Sequence, residues 1–440
     1  MIKRSFLVLF YFIFINFEYR FSKSRGKLFY IGKSFQQQSL RFPARANSDS
    51  LISLRIFKRL VFSLIQSKKD LIHFDSLSAE GIYDSNNSSI DLRRNYVNHF
   101  NEVTVEWFIS RESLIINLNL ISKFFLLIII VLCFLPVLLI SLFSKNKLTF
   151  PLYFIECIEC ICLIEIVNKF KIKKIHYFNI FERDANFVSF LLAKSNVYVN
   201  KIPSEVPLVF WNSIIVSESL SFCFPYQLEE YEAYKHSMFI KKTNIWAPEQ
   251  VLNAPPRFLQ NGFQFKPIFD IGFFSSGNWL RAKLGDPNLG RNELGNESLL
   301  LEKLLTYTHK HQLSLRIFLH PIEKNGFLES DVQNYYLKKI NAFPNSTIAP
   351  IDCQSIQGFD EINLGISLYS TLMFERIYLG FKTLLAPWGY PEFPLKDSPF
   401  NNICISGPHE LEEKIDFNLK LTTNEFFTKN KISNYSKFEN

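Results

Sequence analysis

Residues 313–321 read Leu-Ser-Leu-Arg-Ile-Phe-Leu-His-Pro, an apolar run closed by His320 and Pro321. The run reads as a buried strand, and Pro321, whose ring fixes φ, directs the chain into a loop. Further on, residues 365–375 read Gly-Ile-Ser-Leu-Tyr-Ser-Thr-Leu-Met-Phe-Glu, a second polar insertion in apolar sequence. Strand ends in an open α/β sheet are where ligands bind. A histidine at one such end, and Ser370–Thr371 opening a helix at another, can together hold a phosphate-bearing substrate.

The pattern around these two stretches alternates. Strands are expected at Pro267–Phe274, Ser314–Leu319, Ser346–Ala349, Ile362–Ile366, Thr383–Ala386 and Asn402–Ile405. Between them the periodicity predicts a turn at Ser275–Trp279 leading into a helix, a helix over Glu297–His311 capped by Asn296, and helices over Ser330–Ile340, Thr371–Leu379 and from His409 onward. Asn253-Ala-Pro-Pro-Arg257 reads as a linker. Before it the pattern predicts a helix over Leu152–Phe170, a strand over Lys174–Phe181, a helix over Asp184–Lys194 and a strand over Asn196–Asn200, followed by a loop at residues 201–207. A strand-helix-strand unit implies a parallel sheet with a right-handed crossover. The expected fold class is therefore α/β, with two Rossmann-like domains at residues 151–255 and 256–440. Residues 1–113 form an N-terminal region belonging to the first domain or packed on it, with short strands at Leu28–Ile31 and Leu71–Phe74 and a polar loop at Ser85–Ser89. Leu51–Ile65 reads equally as an amphipathic membrane helix or as a helix packed on a core.

The chain of 440 residues is 48% apolar and 16% aromatic, which supports a large core and excludes global disorder. A net charge of +8 suits a surface that meets anionic lipid or nucleotide phosphates. No basic stripe interleaved with aromatics marks a nucleic-acid binder. The seven cysteines are odd in number and loosely spaced, unlike a disulfide framework. Cys157, Cys160 and Cys162 lie close together without a second Cys or His cluster, so they read as buried or lipid-facing thiols and no metal site is expected.

Residues 124–143 are uncharged throughout, and as a helix would be about 30 Å long, the thickness of a bilayer core. They lie in a segment, 114–150, read as a membrane-associated insertion. Basic residues on both flanks, Lys123 before and Lys145 and Lys147 after, oppose translocation of either side, and Pro136 interrupts the helix. A kinked span and a re-entrant anchor both fit, with the catalytic domains facing the cytoplasm. The start, Met1-Ile-Lys-Arg followed by apolar Ser5–Phe17, has no small-residue cleavage site and reads as an uncleaved anchor or a buried strand.

Each candidate site residue has a plain structural reading beside the functional one. Ser370 and Thr371 at a helix start would meet an anion through free N–H groups and hydroxyls, or Ser370 would simply cap the helix. Glu375, one turn on, would take ribose hydroxyls or face solvent. His320 would donate to a phosphate oxygen or hold a neighbouring loop. Ser276 and Gly277 would pass close to a substrate or form an ordinary strand-to-helix turn. In the first domain Glu182, Asp184 and Glu205 are candidate general bases, Asp184 being equally a helix N-cap.

Taken together, residues 267–411 resemble the nucleotide-binding half of GT-B glycosyltransferases. The likeness is to bacterial envelope and capsule enzymes, including sialyltransferase-like and polyol-phosphate-transferase-like groups. The matching pieces are His320-Pro321, Ser370-Thr371, and Glu375 followed by Leu379-Gly-Phe-Lys-Thr-Leu-Leu-Ala-Pro387. The resemblance implies that His320, Ser370 and Thr371 contact donor phosphate. It also implies that the chain moves a sugar from a nucleotide-activated donor to a glycan or lipid-linked acceptor at a membrane, with chemistry between two domains. It implies no bound metal or other cofactor. A polyol-phosphate transferase, or a non-catalytic membrane or assembly protein on a degenerate form of the fold, would carry the same motifs. The acidic Asp/Glu-Asp/Glu-Gly motif that supplies the base in the sialyltransferase-like groups has no clear counterpart, so the resemblance assigns no base.

Overall fold

In the computed structural model of the chain the described residues are 7–12, 14–15, 27, 31, 80–84, 107–110, 118, 120–129, 132, 149–178, 185–203, 214–222, 225–235, 238–245, 254–260, 263–283, 291–324, 329–368, 370–389 and 398–434. The chain divides into two compact units, Met1–Val251 and Leu252–Asn440.

The first unit is built on six parallel strands: β1 (Glu80–Asp84), β2 (Trp107–Ser110), β3 (Lys174–Tyr177), β4 (Tyr198–Lys201), β5 (Ile215–Phe222) and β6 (Met238–Ile245). Their order is β2-β1-β3-β4-β5-β6. Its helices include α1 (Thr149–Lys169), α2 (Ala185–Lys194) and α3 (Pro225–Tyr234). From Cys157 to Val167 every residue of α1 except Glu165 is buried, so this helix is apolar nearly all round because it is covered nearly all round. Cys157, Cys160 and Cys162 sit in that core with Ile175, Phe187 and Val199.

The second unit carries five parallel strands: β7 (Phe269–Phe274), β8 (Leu315–Phe318), β9 (Ser346–Ile348), β10 (Ile362–Ser367) and β11 (Thr383–Leu385). The order β11-β10-β7-β8-β9 places the first strand of the unit at the centre. This is the doubly wound order, and its direction reverses between β7 and β10. Among the described residues its helices are α4 (Asn278–Lys283), α5 (Arg291–Lys310), α6 (Glu329–Ile340), α7 (Thr371–Tyr378), α8 (Leu411–Leu419) and α9 (Thr423–Lys429). Strands β7, β8 and β10 read as near-continuous apolar runs because both faces of the sheet are covered, and Ile271, Phe273, Ile317, Leu364 and Ile366 are fully buried.

Arg376, on α7, is also fully buried. Its guanidinium donates to the carbonyls of Phe359 (2.6 Å), Ile362 (2.7 Å) and Lys382 (3.4 Å). It lies among the rings of Phe274, Phe359 and Phe381, 5.0–5.7 Å from their centroids. Carbonyl dipoles and ring faces stand in for a carboxylate, and burial lowers its pKa to about 9.

Several expectations are corrected. Asn296 does not cap a helix: α5 begins at Arg291 and runs through it. An interior Asn costs only a few tenths of a kcal/mol, and burial of Leu300, Leu301, Leu304 and Leu305 on the same helix outweighs that. The expected strand Asn402–Ile405 is instead a 3-10 turn, Pro399–Ile403, followed by one bridge from Cys404 to Leu385. Pro399 and the Asn pair that follows it favour a turn. Ile31, expected in a strand, is helical, and so are residues 7–12, with Val8 and Phe12 buried in the first unit's core. Strands β1, β2, β5 and β6 add to the one strand-helix-strand unit read before the linker. Among the described residues no helix is long and apolar enough to cross a membrane. Of the apolar segment 124–143, residues 124–129 and 132 are described, and residues 120–129 are helical. Residues 51–65, 71–74 and 85–89 lie outside the described residues.

Candidate functional site

Three adjacent strands of the second unit, β10, β7 and β8, end on the same edge of the sheet. The turn Ser275–Gly277 follows β7, His320 follows β8, and Ser370 and Thr371 follow β10 and open α7. Five candidate residues of this unit (Ser276, Gly277, His320, Ser370 and Thr371) thus lie at or just beyond the C-terminal ends of neighbouring strands, around the point where strand order reverses, and Glu375 lies one turn further along α7. Glu182, Asp184 and Glu205 lie outside the described residues.

The turn after β7 is held by a buried carboxylate. Glu297, on α5, accepts from the backbone N–H of Ser276 (2.5 Å) and of Asn278 (2.8 Å), and from the Ser275 hydroxyl (3.3 Å). Burial pushes its pKa up to about 7 against the pull of those donors. Gly277 has φ +68°, in the left-handed region. A Cβ there would stand 2.8 Å from Ile322 Cγ2 and 3.2 Å from His320 Cβ, so the turn and the His320 loop touch.

The loop after β8 is held by a second buried carboxylate. Glu323 accepts from the His320 backbone N–H (2.7 Å), the Trp279 indole N–H (2.5 Å) and the Tyr336 hydroxyl (2.8 Å). Burial raises its pKa as well. Tyr336 Oη also lies 2.9 Å from Ser275 Oγ, so a row of polar contacts runs Glu323–Tyr336–Ser275–Glu297 beneath both loops; its two hydroxyl protons serve three contacts, so all three are hydrogen bonds when one of the two carboxyls is protonated and donates. Trp279 stacks on Tyr335 with centroids 4.2 Å apart, pinning α4 to α6.

His320 is half-buried. Its Nδ1 lies 3.2 Å from the backbone N of Ile322, and its Nε2 lies 3.4 Å from Arg281 Nη2 on α4. Burial, then the nearby charges of Arg281 and Lys324, lower its pKa to about 4, so at neutral pH the ring is uncharged. Ser370 is the N-cap residue of α7, yet its hydroxyl makes no capping hydrogen bond. Capping therefore does not account for the hydroxyl. Glu375 keeps some solvent contact by surface area, but its carboxyl is densely surrounded by protein atoms, and burial alone pushes its pKa up to about 7. Two further polar atoms, Asn278 Nδ2 after β7 and Ser367 Oγ at the end of β10, are buried without a hydrogen-bond partner among the described residues.

Sequence reading missed Arg281, Glu297, Glu323 and Tyr336. Only Glu323, three residues after His320, lies close enough in the chain to have been tied to the motif; the others arrive through tertiary contacts. It also missed a buried polar row in the first unit. Asn200 Oδ1 accepts from Ser219 (2.6 Å) and Ser221 (2.9 Å), while its Nδ2 meets His176 Nδ1 at 3.2 Å. Lys201, fully buried, donates to Asn186 Oδ1 (2.8 Å). An open depression of about 930 Å³ in the second unit is lined by residues including Arg257, Cys353, Gln357 and Glu361. None of the candidate residues lines it, and Arg257 there is already paired with Asp360 at 2.8 Å.

No family model matches the chain, and no curated protein matches it. Among solved structures, the chain is similar to a UDP-N-acetylglucosamine 2-epimerase from Rickettsia bellii, with TM-score 0.43, 10% identity, and coverage of 82% of this chain and 90% of that chain. A UDP-GlcNAc 2-epimerase from Methanocaldococcus jannaschii, solved with UDP-GlcNAc and UDP, matches with TM-score 0.41 and 8% identity over 79% of this chain and 95% of that chain. MurG from Acinetobacter baumannii matches with TM-score 0.40 and 14% identity over 66% of this chain and 76% of that chain. At these scores the likeness carries no argument about the reaction.

Proposed function

We propose that the chain is a glycosyltransferase that takes a nucleotide-activated sugar as donor and acts at a membrane on a glycan or lipid-linked acceptor. The observation that carries the reading is the convergence of His320, the Ser276–Gly277 turn and the Ser370–Thr371 helix start on the ends of three adjacent strands. In doubly wound sheets ligands bind where strand order reverses, and the start of α7 offers free N–H groups and a positive dipole end to an anion. The Ser370 hydroxyl, unused by the helix, adds a donor. The orphaned Asn278 Nδ2 and Ser367 Oγ at the ends of the two strands flanking the reversal support a polar ligand here, because buried polar atoms are normally satisfied. The similarity of residues 267–411 to the nucleotide-binding half of GT-B enzymes points the same way.

In this reading donor phosphate meets His320, Ser370, Thr371 and the turn at Ser276 and Gly277, and Glu375 takes ribose hydroxyls. The bond between the anomeric carbon and the phosphate oxygen breaks, with the electron pair leaving on the nucleotide. The acceptor oxygen bonds to the anomeric carbon and gives its proton to a base. Glu182, Asp184 and Glu205 are kept as the base candidates, to be tested by Gln or Asn substitution with loss of transfer as the readout. Exposed Leu120, Ile121, Phe124, Leu127 and Ile128, interrupted by Lys123, form the surface proposed to meet the lipid.

The test is calorimetric titration of the full chain with CMP, CDP, UDP and GDP, followed by His320→Ala. One nucleotide should bind, and the substitution should weaken it about tenfold or more. A His320→Ala protein that binds every nucleotide as tightly as the wild type would sink the donor-site reading.

A further inference from the structure

The surroundings of His320 hold one hydrogen-bond donor too many. The backbone N–H of Ile322 points at Nδ1 (3.2 Å), and the Arg281 guanidinium points at Nε2 (3.4 Å). A backbone amide and a guanidinium can only donate. A neutral imidazole has one acceptor nitrogen and one N–H, and an imidazolium has none to accept with. Two donors therefore face a ring that can satisfy one of them. The Ile322 amide belongs to the His320 loop itself, which Glu323 fixes through the His320 N–H. That amide claims Nδ1, so the ring proton sits on Nε2. Nε2–H and the Arg281 guanidinium then face each other, donor against donor.

Arg281 is not free to turn away with its helix. The indole of Trp279, two residues earlier on α4, donates to buried Glu323 and stacks on Tyr335. No carboxylate pairs with the Arg281 guanidinium among the described residues. An oxygen placed about 2.8 Å from both nitrogens would accept from both, and would turn the opposed donors into a two-point clamp. The geometry points to Arg281 as a second anion ligand beside His320: its guanidinium and the Nε2–H of a neutral His320 together grip one phosphate oxygen of the donor nucleotide. This rests on the donor-site reading above and deepens it, since it names a residue outside the sequence motifs and gives the histidine a hydrogen-bonding role in place of a charge.

The experiment measures binding of nucleotides, of the matching nucleosides and of inorganic pyrophosphate to the full chain. It compares wild type, Arg281→Gln, Arg281→Lys, His320→Gln and His320→Asn. The amide NH2 of Gln reaches the Nε2 position and that of Asn does not, so His320→Gln should retain most of the binding that His320→Asn loses. Arg281→Gln should lower the nucleotide-to-nucleoside affinity ratio about tenfold while leaving nucleoside affinity unchanged, with Arg281→Lys between the two. Nitrogen-15 spectra of the wild type should show the proton on Nε2 and a shift of that signal with pyrophosphate. Nucleotide binding that is indifferent to Arg281→Gln, or a proton on Nδ1, would overturn the clamp and leave the donor-site reading standing. Pyrophosphate binding that depends on Arg281, with no nucleotide bound, would keep the two residues as an anion grip but overturn its assignment to a donor nucleotide, and with it the donor reading. Binding of neither would remove both.

Discussion

Gly365 on β10 leaves the space that the side chain of Arg376 on α7 occupies. A Cβ at Gly365 would stand 2.6 Å from Arg376 Nε and 2.9 Å from its Cδ. The guanidinium cannot retreat, because carbonyls and ring faces fix it on every side. Gly365→Ala should therefore destabilise the second unit by about 1–3 kcal/mol, the usual cost of overpacking a closed core. Denaturant unfolding of the variant would check this, and an unchanged midpoint would refute the steric account.

Arg376→Lys should be no milder. An ammonium cannot reach the Phe359 and Ile362 carbonyls with the planar fork, and it stacks less well on the three rings. Each buried carbonyl left unmet costs about 1–3 kcal/mol. Thermal unfolding should show a loss comparable to or larger than that of Gly365→Ala. The double variant should lose less than the sum, since both changes break the same contact.

The Glu297 carboxyl sets a slope of stability with pH. Its native pKa of about 7 lies above the ordinary 4.5, so the native state holds the proton more tightly than the unfolded chain. Its contribution is full below about 4.5 and is lost as pH rises toward 7. Glu297→Gln should flatten that fall in a series of unfolding measurements across the same window. It should also lower stability at every pH, because the amide can accept from only one of the Ser276 and Asn278 N–H groups. Glu323 and Glu375 supply slopes of the same sign and would remain. A variant with the wild-type slope would disprove the assignment.

Because the Ser370 hydroxyl makes no capping bond, Ser370→Ala should leave unfolding stability within about 0.5 kcal/mol of wild type. Nucleotide affinity should fall several-fold. A loss of about 1 kcal/mol in stability with affinity untouched would instead mark Ser370 as an ordinary helix cap.

Leu120, Ile121 and Phe124 are 83%, 69% and 61% exposed, while Leu126 on the same helical stretch is fully buried. Leu120→Asp combined with Phe124→Asp should abolish flotation with anionic lipid vesicles and leave the folded core unchanged. Undiminished flotation would place the lipid contact elsewhere in the chain.

The second unit was largely legible in sequence because its strands are short apolar runs bounded by turn residues, and tertiary packing agrees with that local preference. Strand β10 begins at the expected residue, and β7 and β8 lie within a few residues of expectation. Asn296 misled because an N-cap type inside a helix looks the same in sequence as one at its start. In the first unit β5 carries Ser217, Ser219 and Ser221, a polar alternation that hides a strand buried on both faces. Those serines are tolerated there because Asn200 and the Val199 carbonyl satisfy them. The motif residues of the site stood out through strand-end position. Arg281, Glu297 and Tyr336 did not, because what makes them matter is a partner many residues away in the chain.

The row of polar contacts from Glu323 through Tyr336 and Ser275 to Glu297 has a thermodynamic consequence for any ligand. It joins the turn after β7 to the loop after β8, so the conformational entropy of both is surrendered when the protein folds. A ligand arriving at these strand ends would find its donors already in place and would forfeit little of its binding energy to ordering them. The cost falls on evolution instead: a change at any one of the four residues strands a buried partner, so the two loops can be redesigned only together.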